Sequence, residues 1–299
     1  MEIMKTGQKQ IKWMLIGIYS IITVASFFTF FFDWDVRQTA ASSYALLQGH
    51  IMDFYDYNFS IEGLAKGTIY EILIYIIYAI WNLPLFILGV RPDGAQMPLF
   101  AAYWNKLILA FVMYLCAFII YKIAQELKHD NKVSKMIAVT WCTIPLLFFL
   151  IVIQGSYDIY YVLFMLLGLW YWLKPDNKKN NILFNIWFGL AICIKPFPLF
   201  YYLILLLIKE KNIFKIIVNG IVMILPYALC KGLYLNSEGY QAVLAFNGNN
   251  LGSLFFNSLN YLIPFIYASG TGVLPYSSWS CWNQNIVCLE YFSGGMDGI

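Results

Sequence analysis

Two carboxylates one residue apart, Asp33 and Asp35, stand where an apolar run of membrane-spanning length stops. Arg37 follows, then a small-residue stretch ending at Gly49, then Tyr55-Asp56-Tyr57. Further along, a short polar turn carries Gln154 and Asp158, and Lys195 stands alone between two apolar runs. A carboxylate at a bilayer surface can accept the proton of an acceptor hydroxyl. Arg or Lys can neutralise a departing phosphate, Arg through a bidentate grip and Lys as a point charge. Together these residue types suit transfer of a group from a lipid phosphate to a hydroxyl. Asp35 and Asp33 are the candidate bases, with Asp35 favoured because it lies further into the loop. Arg37, Tyr57, Gln154, Asp158 and Lys195 are the candidate substrate contacts.

Each of these residues also has a plainer reading. Asp33 and Asp35 can be interfacial acids that end a helix. Asp158 can complement the dipole of the helix it starts. Lys195 can snorkel from a helix end. Tyr57, or Trp34, can belong to the aromatic belt of a membrane interface or stack on a sugar.

The chain that must position them is strongly apolar. Of its 299 residues 61% are hydrophobic and only 12% charged, with net charge +3. Mean hydropathy is +0.67. That is far outside the range of soluble domains and predicts an all-α, polytopic transmembrane helical bundle. Apolar runs fall at 11–32, 69–90, 99–121, 136–153, 159–173, 182–194, 197–208 and 216–230. The run at 69–90 is interrupted by Asn82 and Pro84 and ends in the turn signal Arg91-Pro92-Asp93-Gly94. No small-x-small cleavage site follows the first run, so it reads as a retained span. Nothing basic and aromatic-interleaved points to nucleic acid, and no Walker loop or dinucleotide fingerprint is present.

Lysine placement sets the predicted topology. Clusters at Lys5/Lys9/Lys12, Lys122/Lys128/Lys132/Lys135, Lys174/Lys178/Lys179 and Lys209/Lys211/Lys215 hold thirteen of the nineteen basic residues. If all four face the cytoplasm, an even number of crossings must separate any two. The weakest run, 69–90, is then re-entrant or lies along the outer interface. By the same parity, 182–208 is a hairpin with Lys195 at its tip, below the outer surface. The alternative is one kinked span with Lys195 buried at its centre, an expensive arrangement unless the charge is paired. The hairpin topology gathers every candidate residue on the extracytoplasmic side, in a single transmembrane domain over 1–299. Its large first outer loop spans about 33–98 and its outer C-terminal tail about 231–299.

Asp33-Trp34-Asp35 directly after the first span, then 40–49 ending in Gly, then Tyr55–Tyr57, resembles the first outer loop of GT-C superfamily glycosyltransferases. The closest likeness is to the polyprenyl-phosphate-mannose-dependent branch and the mannosyltransferase of GPI-anchor assembly. Ala79–Leu85, Asn105-Lys106-Leu107, Ile120–Ile123, Gln154–Asp158 and Gly189–Pro198 resemble further landmarks of that superfamily, in the same order. The resemblance covers residues 12–230. It implies a GT-C-type bundle and a polyprenyl-phosphate-linked sugar donor (mannose-like). It also implies a lipid or cell-envelope glycan acceptor and an outer-loop aspartate as base. Val36-Arg37 stands where that superfamily commonly has an aromatic residue. Its members commonly run longer, with more spans, so the chain reads as the N-terminal part of a longer protein.

No cofactor is expected. A D-x-D can hold a divalent cation, but a lipid-phosphate donor does not require one, and no metal ligands are assigned. His50 and His129 read as solvated loop residues, and Cys116, Cys142, Cys193 and Cys230 as thiols in apolar runs. Cys281 and Cys288 can pair if their segment is extracytoplasmic. The predicted location is a bacterial plasma membrane with a cytoplasmic N-terminus. The sequon Asn58-Phe59-Ser60 then carries no meaning. Two other function classes fit the same charged cavity: a transporter or flippase of lipid-linked sugars, and a non-catalytic truncated membrane protein. Transporters usually show internal repeats of broken helices, and none is legible here.

Overall fold

The computed structural model describes residues 2–28, 34–61, 64, 68–94 and 97–245, with side chains from residue 14 in the first helix and residue 36 in the second. Met1–Val243 forms one compact unit separate from Leu244–Ile299. Cys281 and Cys288 lie outside the described residues. The elements are α1 (Glu2–Phe27), α2 (Trp34–Leu47), α3 (Phe54–Ser60), α4 (Ile72–Ile87), α5 (Leu99–Glu126), α6 (Asn131–Thr143), α7 (Pro145–Phe148), α8 (Ile159–Leu173), α9 (Lys178–Ile194), α10 (Pro198–Lys209) and α11 (Ile213–Gly232). A π turn, Phe149–Ile153, follows α7. Among the described residues the regular elements are all helical, as the composition predicts.

Among the described residues two helices, α5 with 28 residues and α11 with 20, are long and apolar enough to cross a membrane. α6 and the 145–153 stretch are together apolar enough but meet at 53°, as in a broken span or a re-entrant loop. The cause is Pro145, which drives Ile144 into extended backbone (φ −64°, ψ 116°). α8 has 15 residues, about 22 Å at 1.5 Å per residue, and α10 has 12.

The predicted hairpin is present. α9 and α10 run antiparallel, with Lys209 Nζ donating to Asn181 Oδ1 at 2.7 Å and Tyr202 Oη donating to Asn185 Oδ1 at 2.9 Å. Phe184, Phe188, Ile192, Tyr202, Leu206 and Met223 pack into its buried core. α11 runs parallel to α9, tied by Asn185 Nδ2 to Asn219 Oδ1 at 2.7 Å. These helices touch at Gly189, where an added Cβ would overlap the Met223 carbonyl oxygen.

Helix directions follow from such contacts. Phe27 and Phe28 at the end of α1 meet Lys106 and Tyr103 near the start of α5. α8 and α9 are antiparallel, with Phe164 stacked on Trp187 at 5.8 Å. All four lysine clusters thereby fall at one end of the unit, as the parity argument requires. α4 stays at the opposite end. Its Trp81 and Trp104 of α5 stack at 4.7 Å, Asn82 donates to Asn105 at 2.8 Å, and its N-cap, Glu71, lies near Lys231 at the end of α11. α2, α3 and α4 form a cap over that end.

Close helix approach at Gly189 gives a stability test. Gly189→Val should destabilise the detergent-solubilised protein by about 1–3 kcal/mol, the usual cost of overpacking. Gly220→Ala, where an added Cβ meets open space, should be neutral or stabilising by at most about 1 kcal/mol. Thermal unfolding followed by size-exclusion chromatography reads both.

Candidate active site

The tip of the hairpin is set by local chemistry. Pro196 disfavours helix at the residue before it, so α9 ends and Lys195 is extended (φ −146°, ψ 143°). Its ammonium lies 3.3 Å from Asp158 Oδ1. Asp158 opens α8 without capping it through its side chain; its carboxylate is turned to Lys195 instead. Tyr70 and Tyr157 complete the cluster. Their ring centres are 5.6 and 6.0 Å from the ammonium and 4.9 Å from each other, edge to face. The Lys195 and Asp158 side chains keep 28% and 45% of their exposure. A pair that open stabilises the fold by about 0–1 kcal/mol at most.

Val36, the residue after Asp35, packs on the turn that carries Asp158. Asp33 lies outside the described residues, and Asp35 lies in the first turn of α2 with its side chain outside them. The next residue, Val36, is buried against the 154–158 turn. Gly155 there is at φ +76°, and an added Cβ would sit 3.0 Å from Val36 Cγ2 and 3.8 Å from Leu109 Cδ1. Only glycine suits that backbone and that approach. On the other side of the acids, Lys106 Nζ donates to the Phe27 carbonyl at 2.8 Å and Tyr103 Oη to that of Phe28 at 3.0 Å. The chain is therefore fastened at Phe27 and Phe28 on α5 and again at Val36 on the turn that holds Asp158.

The other candidates separate. Arg37 is half-buried in α2, and Gln154, also half-buried, closes the π turn through its amide to the Phe149 carbonyl at 2.9 Å. Tyr57 is engaged with other groups. Its hydroxyl donates to Gln48 Oε1 at 2.9 Å and its ring stacks on His50 at 3.6 Å. His50 is not simply solvated, since its Nδ1 lies 2.9 Å from Asp53 Oδ2, and that hydrogen bond holds the Asp53 carboxyl below its usual range. Arg91 donates to the Phe86 and Val90 carbonyls and covers the Phe86 ring at 3.9 Å, which makes it a cap for α4. Asn58 of the sequon is buried, its amide donating to the Phe54 carbonyl at 2.9 Å.

Two groups escaped the sequence reading of the site. Lys106 is a fully buried cation in an apolar helix, a placement that by itself signals function or a specific partner. Glu71 accepts from Tyr240 Oη at both carboxylate oxygens, 2.8 and 3.0 Å, with Lys231 Nζ 4.0 Å away. Burial pushes its carboxyl above the usual range, against the opposing pull of Tyr240 and Lys231. Among the described residues no three His, Cys, Asp or Glu side chains converge as a metal site.

Comparison with known proteins adds one finding. The family model for glycosyltransferase family 87 matches residues 82–274, more than half of the chain, and includes the Asp158 turn and the Lys195 tip. No curated protein and no solved structure matches. A bundle of apolar helices with paired charges at one end agrees with that match: the chain belongs to glycosyltransferase family 87, a family of GT-C-type membrane glycosyltransferases.

Proposed function

We propose that the chain moves a hexose, mannose-like, from a polyprenyl-phosphate sugar to a lipid or cell-envelope glycan acceptor on the extracytoplasmic face of a bacterial plasma membrane. The acceptor hydroxyl loses its proton to Asp35, or to Asp33, as its oxygen attacks the anomeric carbon. The bond from that carbon to the phosphate oxygen breaks, and polyprenyl phosphate leaves with the electron pair. Lys195 meets the charge that develops on the leaving phosphate, and Arg37, two residues from Asp35, offers a second donor. Gln154 and Asp158 border the sugar, while Asp158 releases its hold on Lys195 as phosphate takes its place. This chemistry calls for neither a soluble nucleotide nor a metal ion.

The observation that carries the reading is the 3.3 Å Lys195–Asp158 pair, on the turn against which the helix bearing Asp35 packs. Tyr57 takes no part in the chemistry in this reading, because its hydroxyl and ring are already engaged by Gln48 and His50.

Full-length protein in membranes, assayed with a panel of polyprenyl-phosphate sugars, tests the reaction. Asp35→Asn or Asp33→Asn should lower transfer by about 10²–10⁴-fold, the usual worth of a general base, with expression unchanged. Full activity in both single variants would overturn the assignment. Lys195→Met should raise the donor KM by about tenfold or more, as for a lost charged hydrogen bond. It should leave thermal stability within about 1 kcal/mol. Orientation is tested separately: a reporter fused near Asn177 should read cytoplasmic and one near Asp93 external, and finding both on one side would refute it.

A further inference from the structure

After α11 the chain turns back over the cap and fastens itself to the first loop. Tyr234 Oη donates to the Ile51 carbonyl at 2.6 Å. Ser237 Oγ and the Gly239 amide both donate to Asp56 Oδ1, at 3.0 and 2.7 Å. Tyr240 Oη donates to both oxygens of Glu71. The rings of Tyr55, Tyr234 and Tyr240 form a cluster, with Tyr55 at 4.9 and 4.8 Å from the other two and those 6.2 Å apart. Gly239 lies so close that an added Cβ would stand 2.7 Å from the Tyr55 carbonyl carbon and 2.9 Å from the Asp56 nitrogen. These contacts join residues about 170–180 positions apart in the chain.

The clamped loop segment leads directly to the lysine tip. Tyr55 Oη donates to the Tyr70 carbonyl at 2.8 Å, and the Tyr70 amide donates to Tyr75 Oη at 3.2 Å. Tyr70 and Glu71 are consecutive, so anchoring Glu71 adds to the bonds from Tyr55 and Tyr75 that hold the Tyr70 main chain from which the ring extends. That ring borders the Lys195 ammonium.

We propose that residues 234–240 are a positioning strap: through Asp56 and Glu71 they hold Tyr70 against Lys195 and so set the ammonium for the donor phosphate. The last step rests on the reading of Lys195 given above; the strap's hold on Tyr70 does not. Asp56, Glu71 and Tyr240 are positioning residues that act through Tyr70 and touch no substrate.

The test is a set of three variants of the full chain, read by donor and acceptor kinetics and by hydrogen–deuterium exchange. Tyr240→Phe keeps the ring and removes the hydroxyl bonded to Glu71. Asp56→Ala removes the acceptor of two bonds, whereas Asp56→Asn keeps an oxygen at that place. Tyr240→Phe and Asp56→Ala should each raise the donor KM by about tenfold, with kcat and acceptor KM within about twofold. Amide exchange over 68–71 should speed up in both, and Asp56→Asn should stay near the parent in every readout. Unchanged exchange over 68–71, or a fall in kcat alone, would overturn the strap. Should the parent turn over no lipid-phosphate sugar, the donor reading fails by itself. Exchange over 68–71 then decides the strap, upheld if faster in Tyr240→Phe and refuted if not. If Asp56→Ala does not fold, Tyr240→Phe carries the same decision.

Discussion

A charge in a bilayer must reach an end of its helix or find a partner, and that constraint shapes this molecule. Lysines crowd one end of the unit. At the other end four described cations are met by an anion or by backbone. Lys195 has Asp158, Lys231 has Glu71, and Lys106 has the carbonyl of Phe27. Arg91 has two carbonyls at the end of α4. The helices turn where they do because Lys195-Pro196 cannot continue α9 and cannot lie unpaired among lipid. Hairpin and site have one cause.

That cause was legible without coordinates. Lysine clusters, a proline after a lone lysine and parity were enough to place the α9–α10 hairpin. The run at 69–90 reads as broken at Asn82 and Pro84, yet α4 continues through both as one helix, with Asn82 bonded to Asn105 of α5. The pairing of Asp158 with Lys195 was half legible: both residues were singled out, but not their contact, because they sit 37 positions apart at the ends of two short helices. Tyr57 shows the limit of reading by type. An aromatic beside acids suits a sugar, yet here the ring already lies on His50, and no local pattern announces a stack between residues seven apart.

The strap was illegible for a different physical reason. Residues 231–245 show no apolar period long enough to declare a partner, and their hold on the first loop comes from hydroxyl and amide donors meeting two carboxylates. Such bonds are directional and carry no signature in composition. Gly239 is the exception in principle, since a glycine amid Tyr and Glu often marks a close backbone approach. Without the position of Tyr55, however, the approach has no known target. Lys106 was hidden in plain view: a lysine in a long apolar helix is conspicuous, but its partner is a main-chain carbonyl of α1, and main-chain acceptors exist everywhere.

Exposure separates Lys106 and Lys195. Lys106 is 2% exposed and bonded to a helix-end carbonyl, a buried charge held by the main chain of α1. It is a fixture. Lys195 keeps 28% of its exposure and a partner that is more open still, and exchanging one anion for another there costs about 1 kcal/mol or less. Release of Lys195 from Asp158 leaves the fold stable to within about 1 kcal/mol, whereas nothing can be exchanged at Lys106 without pulling on α1. The ammonium at the hairpin tip is thus the more exposed and more loosely held of the two. The buried one is suited to holding the main chain that leads into Asp33 and Asp35.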